Sequence, residues 1–140
     1  MGRVLALDYG TKRTGIAVTD PLRIIATPLK TVPSGELISF LQQYIQTEEV
    51  DEFVVGLPKN LKNEDSALAP RVRALIRQLE VNFQGKKVTP VDERFTSQIA
   101  ERAMIEGGVK KKARQNKANV DRLSATLILQ SFLQSKGRQP

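Results

Sequence analysis

The sequence predicts an α/β protein with a mixed sheet of five strands and helices on both faces. Two observations predict this class. The first part of the chain holds short apolar runs separated by tight turns, which favours antiparallel strands. From residue 34 onward, stretches with helical spacing alternate with further apolar runs, which favours parallel strands joined by helices. Both kinds of pairing then meet in one sheet.

The first three strands follow one another directly. Residues 4–7 are an apolar run that, with Asp8 at its end, has the length of a buried strand, and Gly10 with the polar residues after it forms a tight turn. Residues 16–18 return as a second strand, and residues 24–27 are expected to form a short third strand. The chain therefore opens with a β-hairpin.

A first helix and a fourth strand come next. Ser34 is the expected N-cap of the helix, because a serine hydroxyl can accept a hydrogen bond from the first helical turn. The apolar positions of this helix recur at helical spacing, at Leu37, Leu41, Tyr44 and Ile45. Residues 51–55 are expected to form the fourth strand, which ends where Gly and Pro in residues 56–60 start a loop.

A second helix and a fifth strand follow. The helix is expected over residues 66–80, where Pro70 is tolerated only within the first turn. Residues 87–91 form the strand. It is expected at an edge of the sheet, because Pro90 lacks the N–H that a central strand donates to its neighbours.

Two more helices complete the expected fold. Thr96 caps one of them, and Gly107 ends it as the residue just after the last turn. The other covers residues 120–134 and is apolar on most of its faces, so it is expected to be well buried.

Length and composition are consistent with one domain over residues 1–140, which can bury about two-thirds of its unfolded surface without crosslinks. The chain has no cysteine, so no disulfide is expected. No apolar run approaches the ~18 residues of a membrane span, and no basic start followed by an apolar segment marks an export signal. The expectation is a cytoplasmic protein with no membrane association.

Asp8 stands at the end of an apolar strand, where aspartate is uncommon. Such a carboxylate can hold a divalent metal ion or aim one at a phosphate. The small Gly10 and the hydroxyl-bearing Thr11 would let a phosphate oxygen approach the backbone closely. The alternative is a turn aspartate that hydrogen bonds its own backbone. The segment alone does not separate the two interpretations.

Most of the basic charge lies in one segment, predicted to be a flexible loop over residues 107–118. The chain has 22 basic and 15 acidic residues, a net charge of +7. Five of the basic residues lie in this segment, at Lys110, Lys111, Lys112, Arg114 and Lys117. Clustered cations suit a phosphodiester backbone because binding releases its counterions, and no aromatic residue is present to stack on bases. A solvated loop without a ligand is the alternative.

Two adjacent acids, Asp92 and Glu93, follow the fifth strand. Ligands of open α/β sheets bind at the carboxyl ends of the strands. If the first and fifth strands are parallel, Asp8 and Glu93 are neighbours at that edge. Adjacent strand residues point to opposite faces, so only one of Asp92 and Glu93 can face a metal ion together with Asp8.

A further acid, Asp121, would lie in the first turn of the last helix if Asn119 caps that helix. Ser124 and Ala125 share its helical face, and small side chains there would let this face approach the sheet. The alternative is an acid that only offsets the helix dipole, which is worth about 0.5 kcal/mol.

Three converging carboxylates repel one another unless a cation neutralises them. Two Mg²⁺ or Mn²⁺ ions about 4 Å apart would do so while bridging a scissile phosphate. The chain has neither His nor Cys, so the ligands are oxygens, which favours Mg²⁺ or Mn²⁺ over zinc. Without histidine as a general base, the metal would have to activate the attacking water.

Four blocks in order carry a resemblance to a known family: residues 7–17, 56–58, 92–97 and 117–121. They read Leu-Asp-Tyr-Gly-Thr-Lys-Arg-Thr-Gly-Ile-Ala, Gly-Leu-Pro, Asp-Glu-Arg-Phe-Thr-Ser and Lys-Ala-Asn-Val-Asp. On the basis of these blocks, the chain resembles the YqgF family, and the resemblance spans nearly the whole chain. Its members are Holliday-junction-resolvase-like proteins with an RNase H-like fold, also described as pre-16S rRNA nucleases. One departure is residues 61–65, where the family usually has a small Asp-Gly turn.

The resemblance implies a single RNase H-like domain that cleaves precursor ribosomal RNA, with the basic loop beside its site and strands one, four and five parallel. It also implies that Asp8, Glu93 and Asp121 are the catalytic, metal-binding triad. Asp8 would bridge two ions, and the other two acids would each complete one coordination sphere.

Three further basic residues, Lys12, Arg13 and Arg94, would contact the phosphates that flank the cut. Arg94 has an alternative role as the ion-pair partner of Asp92 or Glu93. Lys12 and Arg13 have the alternative of being exposed turn residues only.

The sequence is also compatible with other functions. An Asp-x-Gly-Thr hairpin also occurs in actin-like ATPases and sugar kinases, but these clamp nucleotide between two domains, and 140 residues cannot supply both. A non-catalytic RNA-binding factor for ribosome maturation would keep the fold and use mainly the basic loop. The residues do not distinguish RNA from branched DNA, and they fix neither ribosome association nor oligomeric state.

Overall fold

The structure is a computed structural model that describes residues 2–57, 69–92 and 117–137, with the side chains of residues 2–57, 70–91 and 124–134. The elements in chain order are β1 (Arg3–Tyr9), β2 (Arg13–Thr19), β3 (Ala26–Pro33), a 3₁₀ turn (Ser34–Glu36), α1 (Leu37–Thr47), β4 (Val50–Leu57), α2 (Ala69–Asn82), β5 (Lys87–Asp92) and α3 (Lys117–Gly137).

Within the described ranges, five strands form one mixed sheet in the order β3-β2-β1-β4-β5. β2 pairs antiparallel with both β1 and β3. β4 pairs parallel with both β1 and β5, so the carboxyl ends of these three strands lie at one edge. The predicted mixed sheet is confirmed, and β5 lies at an edge, as Pro90 predicts.

Helices cover both faces of the sheet, which confirms the expected layers. On one face Leu5 and Leu7 of β1 pack with α1 and α2. On the other face Val4 and Ala6 of β1 pack with α3. Because strand side chains alternate between faces, the even-numbered positions of β1 belong to the α3 face.

Two expected elements differ from the structure. β3 covers Ala26–Pro33 and not residues 24–27, because antiparallel pairing with β2 continues to the pair Arg13↔Pro33. α3 begins at Lys117, so Asn119 lies inside the helix and is not its cap. Lys117 and Ala118 are good helix formers, which lets the helix start earlier. The helix expected between Thr96 and Gly107 lies outside the described residues.

The loop between β2 and β3, residues 20–25, is ordered by one carboxylate. Asp20 accepts hydrogen bonds from the backbone N–H groups of Leu22, Ile24 and Ile25, at 3.2, 2.8 and 2.7 Å. These bonds lower the pKa of Asp20 below its ordinary value of 3.8, and the bond from Ile25 has the largest effect. The backbone that was expected to begin the third strand is thereby held in a loop.

A second carboxylate, Asp51, ties this loop to the start of β4. It accepts from Arg23 Nη2 at 2.7 Å and from the backbone N–H of Gly2 at 2.9 Å. Arg23 also donates from Nε to the Gly2 carbonyl oxygen at 2.9 Å. A Cβ on Gly2 would overlap the Asp51 carboxylate, so a larger residue here would displace that carboxylate from its present position. The Gly2 bond is the main cause that lowers the pKa of Asp51.

Replacing Phe53 by alanine should lower the free energy of unfolding by about 3–5 kcal/mol, because it opens a cavity in the core. Phe53 is fully buried, and its ring centroid lies 5.1 Å from that of Phe83. Urea denaturation measures the loss, with Val81→Ala as the control because Val81 is 69% exposed. Equal effects of the two substitutions would contradict this assignment of the core.

Low pH should weaken the contacts that Asp20 and Asp51 make with the β2–β3 loop and Gly2, because folding lowers the pKa of both carboxylates. The stability that each carboxylate contributes is present above its unfolded pKa of about 3.9 and is lost as the pH falls through the folded value. Asp20→Asn should therefore destabilise the protein at pH 6 and have a smaller effect at pH 2.5. Urea midpoints at the two pH values test this, and an equal loss at both would contradict it.

Candidate functional site

Asp8 lies near the carboxyl end of the central strand β1 and is half-buried. By the two-residue period of the strand, it shares the α3 face with Val4 and Ala6. Its partner across the β1–β2 pair is Gly15, which has no side chain to cover this face. Asp8 therefore lies at the edge of the sheet where the carboxyl ends of the parallel strands meet.

The β1–β2 turn beside Asp8 carries two predicted phosphate contacts, Lys12 and Arg13. Gly10 donates its backbone N–H to the Arg13 carbonyl oxygen at 3.0 Å, which closes the turn. A Cβ on Gly10 would stand 2.7 Å from the same oxygen, closer than real contacts allow, so only glycine fits. Lys12 is exposed and Arg13 is half-buried. The structure thus brings Asp8 and these two cations to one end of β1.

Ser34 locks this turn from outside the hairpin. Its hydroxyl donates to the Gly10 carbonyl oxygen at 2.5 Å, and its backbone N–H donates to the Lys12 carbonyl oxygen at 3.0 Å. The hydroxyl of Thr14, which is fully buried, lies 2.9 Å from the Ser34 hydroxyl. Because the single hydroxyl hydrogen of Ser34 goes to Gly10, Thr14 is the donor to Ser34.

The expected helix cap at Ser34 is therefore wrong. A 3₁₀ turn starts at Ser34, α1 starts only at Leu37, and no side chain caps either element. The Ser34 side chain is used instead by the β1–β2 turn. Sequence reasoning missed this residue as part of the site. Only the hydroxyl of Ser34 could have indicated that it holds the turn, and a serine hydroxyl equally predicts a helix cap.

α3 places Ser124 and Ala125 against the sheet, with 1% and 0% of their surface exposed. The predicted approach of this helical face to the sheet is confirmed. Position 121 precedes these residues by three and four positions, so its backbone belongs to the same stripe of the helix. It lies in the second helical turn and not in the first, because α3 begins at Lys117. Among the described side chains, the buried Ser124 hydroxyl lacks a hydrogen-bond partner.

The other predicted site residues are described only in part. Asp92 is the last residue of β5 and pairs with Leu57 of β4, so its backbone lies at the same sheet edge as the end of β1. Its side chain lies outside the described part of the structure, as do the side chains of Asp121 and Lys117. Five further predicted basic residues and one acid lie wholly outside it: Lys110, Lys111, Lys112, Arg114, Arg94 and Glu93. Within the described portion, no three acidic side chains converge.

Glu52 is a buried acid on the same face that the sequence did not single out. It is 5% exposed and accepts a hydrogen bond from the Thr89 hydroxyl at 2.6 Å. It is the register partner of Val4 on β1, about 13 Å along the strand from Asp8. Glu52 therefore belongs to the opposite end of the sheet and not to the candidate site.

Among the helices that the structure describes, none combines the length and the hydrophobicity of a membrane span.

Comparison with solved structures agrees with this architecture. The chain superposes on T. thermophilus RuvC in complex with Holliday junction substrate with a TM-score of 0.62. The match covers 99% of this chain and 97% of that one, at 16% sequence identity. The predicted RNase H-like fold is confirmed in its RuvC-like form.

Proteins of known sequence are more similar to this chain than the solved structure is. A protein of Amoebophilus asiaticus named "Putative pre-16S rRNA nuclease" is 49% identical over 138 residues, 99% of this chain and 98% of that protein. A protein of the same name from Parabacteroides distasonis is 52% identical over 139 residues, 99% of each. The family model described as "RuvX: Holliday junction resolvase" matches residues 2–135. With this coverage and identity, the chain belongs to the RuvX family of nucleases, the YqgF family that its motifs indicated.

Proposed function

We propose that this nuclease hydrolyses phosphodiester bonds of precursor ribosomal RNA during 16S maturation, in the cytoplasm and with divalent metal ions. The observation that carries the proposal is Asp8. It is a half-buried carboxylate at the carboxyl end of the central strand, beside a glycine turn that bears Lys12 and Arg13. The names of the full-length relatives support precursor 16S rRNA as the substrate.

Glu93, and not Asp92, is the proposed second acid. Val91 of β5 packs into the core on the α3 face, the face of Asp8. Continued one residue past the end of β5, the two-residue period of a strand would give position 93 this same face. Asp121 is the proposed third acid, because its position begins the stripe of α3 that continues with the buried Ala125.

The donor set suits Mg²⁺ or Mn²⁺. Asp8, Glu93 and Asp121 would contribute only carboxylate oxygens, and the chain contains neither cysteine nor histidine. The buried Ser124 hydroxyl, three residues after Asp121, is left without a partner among the described residues, as expected beside a site with a polar occupant. When bound, such ions activate a water and stabilise the leaving oxygen.

The protein's own residues position the RNA. Lys12 and Arg13 bind the phosphates next to the scissile bond, and Gly10 lets a phosphate oxygen approach the backbone. Ser34 holds the turn that presents them. Arg94 contacts a neighbouring phosphate, and the basic segment around Lys110 and Arg114 follows the RNA backbone by charge.

Branched DNA is the second candidate substrate. The description of the matching family and the ligand of the T. thermophilus RuvC complex both name the Holliday junction. The site contacts proposed above are to phosphates, which RNA and DNA share. The choice between the two polymers is therefore part of the first experiment.

Asp8→Asn should lower the cleavage rate by about 100-fold or more, because it removes a charged metal ligand. The assay uses end-labelled precursor 16S RNA and a four-way DNA junction, each with Mg²⁺, Mn²⁺ or EDTA. The same variant should lose the rise in unfolding temperature that Mn²⁺ gives the wild type. Glu80→Gln, an exposed acid on α2, is the matched control and should change neither readout.

Metal-dependent cleavage by Asp8→Asn at a rate close to that of the wild type would overturn the assignment of Asp8. Salt-sensitive RNA binding without cleavage by the wild type would instead identify a non-catalytic maturation factor. Parallel assays of Glu93→Gln and Asp92→Asn decide between the two adjacent acids, because only the metal ligand should behave like Asp8.

Ser34→Ala should raise the KM for precursor RNA several-fold and change kcat less. The substitution frees the Gly10 carbonyl and leaves the buried Thr14 hydroxyl without its acceptor, so the turn with Lys12 loosens. We expect a stability loss of about 1 kcal/mol.

Steady-state kinetics measure this effect. Ser34→Thr is the rescue variant, and Ser39→Ala, which changes an exposed serine of α1, is the control. If Lys12→Ala raises the KM but Ser34→Ala does not, Ser34 does not position the turn.

A further inference from the structure

Helix α2 carries three exposed arginines, and their order along the helix is unfavourable. Arg71 lies in the first turn, and Arg73 and Arg77 follow in the next two turns. The one acid of the helix, Glu80, lies in the last turn. The helix dipole is positive at the N-terminus, so it favours acids at the start of a helix and cations at its end. The charges of α2 are arranged the other way round.

Neither the ends of α2 nor its surroundings compensate for this arrangement. The first turn contains no acid, and the last turn contains no base. Within the described part of the chain, no acidic side chain forms an ion pair with Arg71 or Arg77. The helix is stabilised instead by its apolar face, where Val72 and Leu79 are fully buried. Arg71 and Arg77 therefore do not stabilise the helix, and cations at such positions suit an anionic ligand.

The direction of α2 brings its N-terminal half to the edge of the sheet at which Asp8 lies. α2 connects the parallel strands β4 and β5, so it runs in the opposite direction to both. It ends shortly before β5 begins, at the edge of the sheet away from Asp8. Its first turn, with Arg71, therefore points toward the edge where the carboxyl ends of the parallel strands meet.

A contact in the core gives the scale. Phe83, the residue after α2, packs against Phe53 of β4, with 5.1 Å between the ring centroids. Phe53 pairs with β1 three residues before Asp8, which is about 10 Å along the strand. At about 1.5 Å per residue, Arg77 lies about 9 Å and Arg71 about 18 Å from Phe83 along the helix. Arg77 is thus roughly level with Asp8, and Arg71 reaches the edge of the sheet.

Asp8 and the arginines of α2 lie on opposite faces of the sheet. Asp8 belongs to the face that α3 covers, whereas α2 packs on the face of Leu5 and Leu7. A nucleic acid strand that is bound at Asp8 and continues over the edge of the sheet arrives at the N-terminal half of α2. The arginines are therefore placed to bind a part of the strand away from the cleaved bond.

The chemistry of α2 selects the backbone of the nucleic acid and not its bases. A guanidinium donates paired hydrogen bonds that match the oxygens of a phosphate. α2 contains no aromatic residue that could stack on a base. Contacts of this kind carry no sequence information, and they fix the position of the strand on the protein.

From these observations we infer that Arg71 and Arg77 bind the phosphodiester backbone of the substrate where it leaves the candidate site over the edge of the sheet. The inference rests on the proposed function and adds a second contact surface to it. The arginines hold the strand and have no role in the chemical step. RNA and DNA share this backbone, so the experiment compares both polymers.

The test is the double variant Arg71→Gln, Arg77→Gln, made in Asp8→Asn so that the substrate stays intact. Glutamine has nearly the helix propensity of arginine. Arg73 is kept because it makes an interaction within the protein. The Kd for precursor 16S RNA should rise about tenfold. The slope of log affinity against log salt concentration should become less steep by about 1.4, because each lost contact to a single-stranded phosphate contributes about 0.7.

The control is Lys87→Gln, compared with each single arginine variant. Lys87 is an exposed cation at the start of β5, at the edge of the sheet away from Asp8. It matches each arginine variant in net charge and should change neither the Kd nor the salt slope. The same titrations with a four-way DNA junction show which polymer the arginines contact, because that polymer loses more affinity.

Thermal unfolding supplies a readout that a structural role would move in the other direction. The arginine substitutions remove cations that oppose the helix dipole, so the unfolding temperature should stay the same or rise while affinity falls. The inference is overturned if the double variant keeps the affinity and salt slope of its parent for both polymers. It is also overturned if Lys87→Gln has an equal effect, or if affinity and unfolding temperature fall together.

These measurements report binding, so they do not depend on cleavage. A wild type that binds through the arginines but cleaves neither polymer would contradict the proposed function and leave this inference intact. A wild type that cleaves while the double variant binds normally would do the reverse.

Discussion

The fold depends on the burial of strand β1 on both faces. Four consecutive residues, Val4, Leu5, Ala6 and Leu7, are at most 1% exposed and alternate between the core under α1 and α2 and the core under α3. The same strand pairs parallel with β4 and antiparallel with β2. Both core layers and both kinds of strand pairing therefore meet in one segment. Asp8 continues this strand, so its backbone is fixed by the most buried part of the molecule.

The two ends of the sheet have different chemistry as a consequence of this topology. At the carboxyl ends of the parallel strands, β1 leads into a glycine turn whose backbone is locked by Ser34. At the opposite edge, Asp20 and Asp51 are used for structure: Asp20 binds three backbone N–H groups, and Asp51 binds that of Gly2. Acids at one edge thus stabilise loops, while Asp8 at the other edge lies on the face that α3 covers. Position in the sheet, and not residue type, separates the structural acids from the candidate catalytic acid.

Much of the fold was predictable because its signals are local. The apolar run before Asp8, the turn at Gly10 and Pro90 at an edge strand each depend on a few neighbouring residues, and the structure agrees with them. The errors arose where a distant segment competes for the same group. Ser34 was expected to cap a helix, but the Gly10 carbonyl, 24 residues away, takes its hydroxyl. Ile24 and Ile25 were expected in a strand, but the Asp20 carboxylate binds their N–H groups and holds them in a loop.

The sequence by itself determined the class of the sheet, the order of its elements and the family, because periodicity and short motifs are properties of neighbouring residues. It also singled out Asp8, Lys12 and Arg13, which stand next to a recognisable turn. Only the tertiary structure decided that Asp8 shares a face with α3, that Ser34 holds the Gly10 turn and that Arg23 joins Gly2 to Asp51. These contacts join segments far apart in the chain, and their formation depends on the sheet order and register that bring those segments together.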